Sequence, residues 1–322
     1  MARITYSGKS FEHKNGTVLD TLIEAGEDIP YSCREGVCQS CMVRAVSGRP
    51  SAHSQRDLKE TLVKQGCFLA CQCHPEEDLE IALPDTQLFC TDAELIELER
   101  LSDEIMRVIL RPSKDYDYYA GQFLNIKNSA GIIRSYSLAS LPQLGGDLEL
   151  HVQYMAGGKM TEWLFNDAAA GDRFEISEAQ GDCFYTSGRP DQSILFVATG
   201  SGLAPIYGVI RDALLQGHSG PMHLFHGSRH ISHIYLQDEL RGLAEKHKNF
   251  QYSPCLTAAE QVDGYRQQRA NEAALETYSD FGSWRIFACG HPDMVKDFKK
   301  KAFLAGASLS DIHIDAFVTA KS

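Results

Sequence analysis

Apolar and polar positions change rhythm twice along the chain. Through residues 1–88 a two-residue alternation in "ARITY" and "LEIAL" has the period of half-buried strands. Between them, "TVLDTLIEAG" predicts a short helix with Thr17 as N-cap, Asp20 near the capping-box position and Gly26 as its stop. "SQRDLKETLVKQG" repeats that grammar with Ser54, Asp57 and Gly66. "LPDTQLFCTDAELIE" then reads as a linker, with Pro84 and polar residues ahead of a new pattern. From Leu95 to about Ser187 come the short runs "IMRVIL", "GQFLNI", "RSYSLAS", "LELHVQYM" and "GDRFEI", separated by glycine-containing turns. Short, regular strands without long helices predict a closed antiparallel barrel. From residue 193 the strands "SILFVAT", "MHLFH", "FQYSP", "WRIFACG" and "IHIDAF" have helical stretches such as "LQDELRGLAEKH" and "PDMVKDFKKKAFLAG" among them. That alternation predicts a parallel, doubly wound α/β sheet, which binds ligands at the carboxyl ends of its strands.

The expected fold is therefore multidomain: a small α+β domain at 1–88, an antiparallel β-barrel at 95–190 and an α/β parallel-sheet domain at 191–322. A formal net charge of -12 argues against nucleic acid as a partner, because phosphate binding relies on basic surface. The N-terminus shows no apolar signal region and no apolar run reaches the roughly 18 residues of a membrane span, so a cytoplasmic protein without a membrane partner is expected. Ten cysteines in a reducing compartment read as ligands plus buried thiols, not disulfides.

Cys33, Cys38, Cys41 and Cys71 give C-x4-C-x2-C, then 29 residues and a last Cys, the spacing of plant-type [2Fe-2S] ligation. Three thiolates come from one loop, in which Gly36 lets backbone amides turn toward sulfur, and the fourth arrives from another segment. Zinc is the competing reading, since Cys38 and Cys41 form C-x-x-C, but zinc modules usually bring a second C-x-x-C or paired histidines. Cys67 and Cys73 compete with Cys71 for the fourth position. Cys90, Cys183 and Cys255 carry no motif and read as small buried hydrophobes.

Two further regions carry chemistry. In "RSYSL" a cation (Arg134), an aromatic (Tyr136) and a hydroxyl (Ser137) suit a flat redox cofactor with a pyrophosphate tail, though an ordinary barrel strand would look the same. In "AGGKMTEWL" the pair Gly157–Gly158 precedes a helix beginning near Thr161, either a phosphate seat or a glycine turn with a Thr cap. "TGSGLAP" ends the first parallel strand with Gly200 and Gly202 placed for a tight turn, but it lacks the third glycine of the Rossmann fingerprint. His226, His230 and His233 have the look of a metal triad, yet a solvated loop explains them better. A 2′-phosphate wants clustered Arg, Lys and Ser. After Arg229 no second cation follows before Tyr235, which favours NADH over NADPH.

Residues 1 to about 88, with this cysteine spacing, resemble a plant-type ferredoxin, a β-grasp domain, with Gln39 where many relatives have Gly. R-x-Y-S followed by G-G-x-x-T resembles the flavin barrel of the ferredoxin–NADP reductase superfamily. The resemblance implies that Arg134 and Tyr136 hold flavin, that Ser137 lies near its reactive N5, and that Gly158, Met160 and Thr161 join the cofactor site. Relatives often have Ser in place of Thr161. "TGSGLAP" is similar to the superfamily's G-[TS]-G-x-A-P loop, implying nucleotide contacts at Thr199, Gly200 and Gly202. "ACGHP" is similar to C-G-x-P, implying Cys289 beside the nicotinamide and Gly290 next to it. Asp315 and Phe317 fall where the family has an acidic residue, often Glu, and an aromatic covering the flavin. Phe317 is then a gate, and Ser137, Cys289 and Phe317 form the implied catalytic set.

The order iron–sulfur, flavin, nicotinamide resembles the NAD(P)H-dependent reductase components of multicomponent bacterial oxygenases, of the benzoate dioxygenase, methane monooxygenase and phenol hydroxylase type. That implies FAD, not FMN, two electrons entering from nicotinamide and single electrons leaving through the cluster. The implied partner is a terminal oxygenase or hydroxylase component or a small ferredoxin. Alternatives are a reductase for a deoxysugar glucoseen dehydratase, for free flavin or for quinone, and a non-enzymatic redox sensor.

Overall fold

A computed structural model describes residues 2–31, 33–36, 39–56, 58–84, 89–258 and 262–317. The chain divides into two compact units, Met1–Thr86 and Gln87–Ser322.

The first unit is a five-stranded mixed sheet. Strands β1 (Arg3–Tyr6), β2 (Lys9–Glu12), β3 (Met42–Ser47), β4 (Cys67–Leu69) and β5 (Leu79–Ala82) lie in the order β2-β1-β5-β3-β4. Helix α1 (Val18–Glu24) buries Val18, Leu19 and Leu22 in a core shared with Ile4, Val43, Phe68 and Leu79. Its capping box is formed: the Asp20 amide donates to the Thr17 hydroxyl at 3.2 Å and the Thr17 amide to the Asp20 carboxylate at 3.0 Å. The bond from the Thr17 hydroxyl holds the Asp20 carboxyl below the usual carboxylate range. Gly26, at φ +76°, ends the helix as expected.

The second helical signal resolves differently. Ser54 is not a cap but sits inside a 3-10 turn, Ala52–Gln55, with its hydroxyl donating to the Ser51 carbonyl at 2.6 Å. Arg56 is extended and interrupts the run, so α2 spans only Glu60–Lys64, with no side-chain cap. A serine that bonds back to its own turn competes with helix initiation further on. Asp57 lies outside the described residues.

The second unit joins a barrel to a parallel sheet. Strands β6 (Phe89–Arg100), β7 (Ile105–Pro112), β8 (Phe123–Asn128), β9 (Ile133–Ser137), β10 (Leu148–Gln153) and β11 (Arg173–Ser177) form an antiparallel sheet in the order β10-β7-β6-β11-β8-β9. A bridge between Leu138 and Leu150 brings its two ends together, so the barrel is nearly closed. Much of the expected linker is strand: β6 pairs with both β7 and β11, and its inward residues Ala93 and Leu95 are fully buried. Polar residues at alternate positions of a half-solvated strand disguised it as linker. Helix α3 (Lys159–Asn166) packs Met160 and Leu164 into the barrel core.

Five parallel strands, β12 (Ile194–Thr199), β13 (Met222–Ser228), β14 (Phe250–Leu256), β15 (Arg285–Gly290) and β16 (Ile312–Ala316), follow in the order β14-β13-β12-β15-β16. Helices α4 (Leu203–Leu215), α5 (Gln237–Lys246), α6 (Ala270–Thr277) and α7 (Pro292–Leu304) alternate with them, and two apolar cores result. Helix α4 lies against the barrel at a glycine: a Cβ on Gly208 would stand 3.0 Å from the Leu138 carbonyl oxygen and 3.3 Å from the Gly121 nitrogen. Among the described residues no helix is long and apolar enough to cross a membrane. Exposed Gly242 in α5 has nothing within 4 Å of a built Cβ and no positive φ. Gly242→Ala is therefore expected to stabilise the fold by roughly 0.5–1 kcal/mol, read as a higher urea midpoint at unchanged slope.

Candidate functional site

In the first unit the cysteine loop is built on left-handed backbone. Arg34, Gly36 and Gln39 have φ of 59°, 82° and 58°. Alternation of left-handed with ordinary residues makes a concave nest of amides suited to an anion, here thiolate sulfur. The Glu35 amide already donates to the Cys33 sulfur at 3.4 Å. Gln39 pays the cost of an L residue in this region, roughly 1–2 kcal/mol, at the position where glycine would be strain-free. Cys33 is exposed, Cys41 and Cys71 are buried, and Cys38 lies outside the described residues. Among the described residues no three potential ligands already form a metal cage.

Of the three downstream cysteines, Cys71 is linked to the loop. The Gln72 amide donates to the Arg34 carbonyl at 3.3 Å and lies 3.6 Å from the Cys71 sulfur. Cys73 is fully buried and its carbonyl accepts from Val18, while Cys67 sits in β4. Loop, amides and Cys71 together fit a cluster held by sulfur.

In the second unit a cleft of about 1900 Å³ separates β9 and the start of α3 from the carboxyl ends of the parallel strands. Single-ligand pockets are typically about 300–1,000 Å³, so this one has room for two large cofactors side by side. Strand alternation separates Arg134 and Tyr136 from Ser135 and Ser137, yet all four line the cleft, since β9 is the last strand of the sheet. Arg134 is exposed and Tyr136 half-buried, with burial pushing its phenol up. Ser137 is buried and donates to the Asp315 carboxylate at 2.7 Å, joining barrel to β16. Burial raises the Asp315 carboxyl, and the Ser137 bond offsets only part of that.

Helix α3 starts earlier than expected. Gly158 is its N-cap, and Thr161 lies within the first turn, its hydroxyl 3.1 Å from the Met155 carbonyl and 3.0 Å from that of Gly158. Thr161 thus shapes the loop, and the helix's first amides are left without a side-chain cap, a geometry suited to an anion. A Cβ on Gly158 would sit 2.7 Å from the Thr161 hydroxyl, so the cradle requires glycine there.

Across the cleft, backbone meets backbone. A Cβ on Gly202 would stand 2.4 Å from the Cys289 carbonyl oxygen, and one on Gly290, at φ +121°, 2.4 Å from that of Thr199. Gly200 has φ +55°, and Thr199 accepts from the His291 amide at 3.1 Å. These loops leave space and amides for a pyrophosphate. Phe317 lines the cleft, its amide donating to the Gly290 carbonyl at 2.9 Å.

Cys289 departs from expectation. It is fully buried in the sheet core, does not line the cleft, and lies 3.4 Å sulfur to sulfur from Cys183. Burial pushes its thiol well up, so it is a protonated thiol. The histidines are not brought together: His226 is inside the sheet beside Tyr235 and Tyr252, whereas His230 and His233 flank a turn at the cleft. Cys183 and Cys255 are buried as expected, and the Cys90 side chain lies outside the described residues. Arg269, at the start of α6, lines the same cleft as Arg229, a juxtaposition no local motif announces.

Three family models match successive stretches of the chain. They are a 2Fe-2S iron-sulfur cluster binding domain over residues 3–76, an oxidoreductase FAD-binding domain over 92–185 and an oxidoreductase NAD-binding domain over 196–300. The reductase subunit of an aromatic O-demethylase from Amycolatopsis sp. is 30% identical, covering 92% of this chain and 94% of its own. The phenol hydroxylase P5 protein of Acinetobacter pittii is 29% identical over 94% of this chain and 90% of its own. The crystal structure of the Amycolatopsis cytochrome P450 reductase GcoB superposes with a TM-score of 0.70 at 29% identity, over 100% of both chains. The cysteine nest, the two-cofactor cleft and these end-to-end matches agree: the chain belongs to the family of [2Fe-2S]- and FAD-containing, NAD(P)H-dependent reductase components of oxygenase systems.

Proposed function

We propose that this chain works in the cytoplasm, takes electron pairs from a nicotinamide nucleotide at the cleft of the second unit, and passes them singly to an oxygenase or hydroxylase component, or to that component's small ferredoxin. The observation that carries this reading is the cleft itself, with Arg134, Tyr136 and Ser137 on one wall and the glycine cradle of Thr199–Gly202 and Gly290 on the other. When bound, flavin accepts two electrons and gives up one at a time, and the cluster carries one.

The residues do the rest. Arg134 and the first amides of α3, with Gly158, Met160 and Thr161, would hold the flavin's phosphates and flank, and Tyr136 would offer it an aromatic face. Ser137, fixed by Asp315, would present a hydroxyl to the bound flavin, and Phe317, lining the same cleft, would have to move aside for nicotinamide. Cys289 contributes through its backbone, against which Gly202 packs, and not through its thiol. Cys33, Cys38, Cys41 and Cys71 hold the cluster.

The direct test is anaerobic addition of NADH or NADPH to the purified holoprotein. Flavin absorbance should bleach and added cytochrome c be reduced; a protein whose flavin neither nucleotide bleaches is not this reductase. Arg134→Ala should weaken FAD binding about 10- to 100-fold, the loss of a charge-assisted phosphate contact. Flavin content unchanged after extensive dialysis would count against that role.

A further inference from the structure

The 3-10 turn Ala52–Gln55 stands where the sequence predicts a helix, and it faces the segment that carries Cys71. It is fixed at two points. The Ser54 hydroxyl donates to the Ser51 carbonyl, and the Gln55 side-chain amide donates to the Cys67 carbonyl of β4 at 3.0 Å. Held in this way, the turn brings the exposed His53 to Gln72, with Nε2 of the ring 3.2 Å from Oε1 of the amide. That oxygen only accepts, so the imidazole donates.

The other end of the Gln72 amide faces two acceptors. A primary amide has two N–H groups. One donates to the Arg34 carbonyl at 3.3 Å, and the other is left for the Cys71 sulfur, 3.6 Å from the same nitrogen. The orientation is set by these partners: turned over, the amide oxygen would meet the oxygen of Arg34. Among the described residues no other group donates to the Cys71 sulfur. The stem of Gln72 also lies on the loop, since a Cβ on Gly36 would stand 3.2 Å from its Cγ. One side chain thus ties the loop after Cys33 to the turn that holds Cys71, across 38 positions of sequence.

Sulfur bound to iron is more negative when the centre holds an extra electron, so a donor aimed at it favours the reduced state. We propose that Gln72 is a positioning residue that raises the reduction potential of the [2Fe-2S] centre through its hydrogen bond to Cys71, with His53 holding the amide in orientation. The inference rests on Cys71 being the fourth ligand.

The test is an anaerobic, dye-mediated redox titration of the holoprotein, read by the low-temperature EPR signal of the reduced cluster. Gln72→Leu keeps bulk over Gly36 and removes both donors. It should shift the equilibrium about three- to tenfold toward the oxidised state, a fall of roughly 30–60 mV at about 59 mV per decade for one electron. His53→Ala leaves the amide in place without its anchor, and should lower the potential by a smaller amount. A potential that is unshifted or raised in either variant overturns the proposal; should Gln72→Leu assemble no cluster, His53→Ala alone decides. An EPR signal that survives in Cys71→Ser would instead remove the ligand assignment, and the proposal with it, whereas the Gln72 and His53 variants leave that assignment standing.

Discussion

Replacing Cys71 by Ser is expected to cut NAD(P)H-driven cytochrome c reduction by about two orders of magnitude while flavin reduction by the nucleotide stays near its normal rate. Loss of one thiolate removes the one-electron exit, whereas Cys71 lies in the compact unit Met1–Thr86 and the nucleotide cleft in the other. The separation is visible spectroscopically: the low-temperature signal of a reduced cluster should vanish, and flavin bleaching should remain. Cys67→Ser and Cys73→Ser are the controls. Both thiols are buried, Cys73 completely, so a serine there costs stability, about 1–3 kcal/mol, but should leave the cluster signal in the protein that folds. A cluster retained in Cys71→Ser and lost in Cys73→Ser would reassign the fourth ligand.

Gly202→Ala should be nearly as damaging at the other end of the route. Gly202 has an ordinary helical φ, so alanine is not excluded by backbone conformation; it is excluded by the Cys289 carbonyl carbon at 2.5 Å and the Gly290 Cα at 2.6 Å from the new methyl. None of these is the end of a flexible side chain. The loops after β12 and β15 must part, at a cost of about 1–3 kcal/mol, and the cradle for the nucleotide's pyrophosphate opens with them. We expect nucleotide-driven flavin reduction to fall about 100-fold, since misplacement by an ångström can cost that much. FAD content should change little, because the barrel wall does not include this contact. A variant with full NADH turnover would show that the close approach is packing alone.

Legibility in the sequence followed the range of the interaction. The central parallel strands β12, β13 and β15 stand out because nearly every residue is buried, as in "ILFVAT", the pattern of a strand covered on both faces. Capping at Thr17 was visible because its partner is three residues away. By contrast β6 reads as linker, since "CTDAELIELER" interleaves acids with apolar residues. Ser54 looked like a cap, but a contact to Ser51 takes its hydroxyl. At the cleft, Arg134, Tyr136 and Ser137 are legible together because one short strand holds them. Arg269 was not, because only packing at Gly227 brings it to Arg229, and no local pattern encodes that. The burial of the Cys289 thiol was likewise invisible, as a strand-end cysteine can turn to either face.

The seam between barrel and sheet has a mechanical consequence. At Gly121 and Gly208 the two halves approach closely: a methyl on Gly208 would lie 3.0 Å from the Leu138 carbonyl oxygen, and one on Gly121 2.6 Å from the Val209 side chain. Surfaces fitted that closely have no slack in which to pivot. A substitution that adds a methyl at this seam therefore has to move backbone on both walls of the cavity, whereas the Phe317 ring, whose main chain is tied to Gly290, can turn without disturbing that fit.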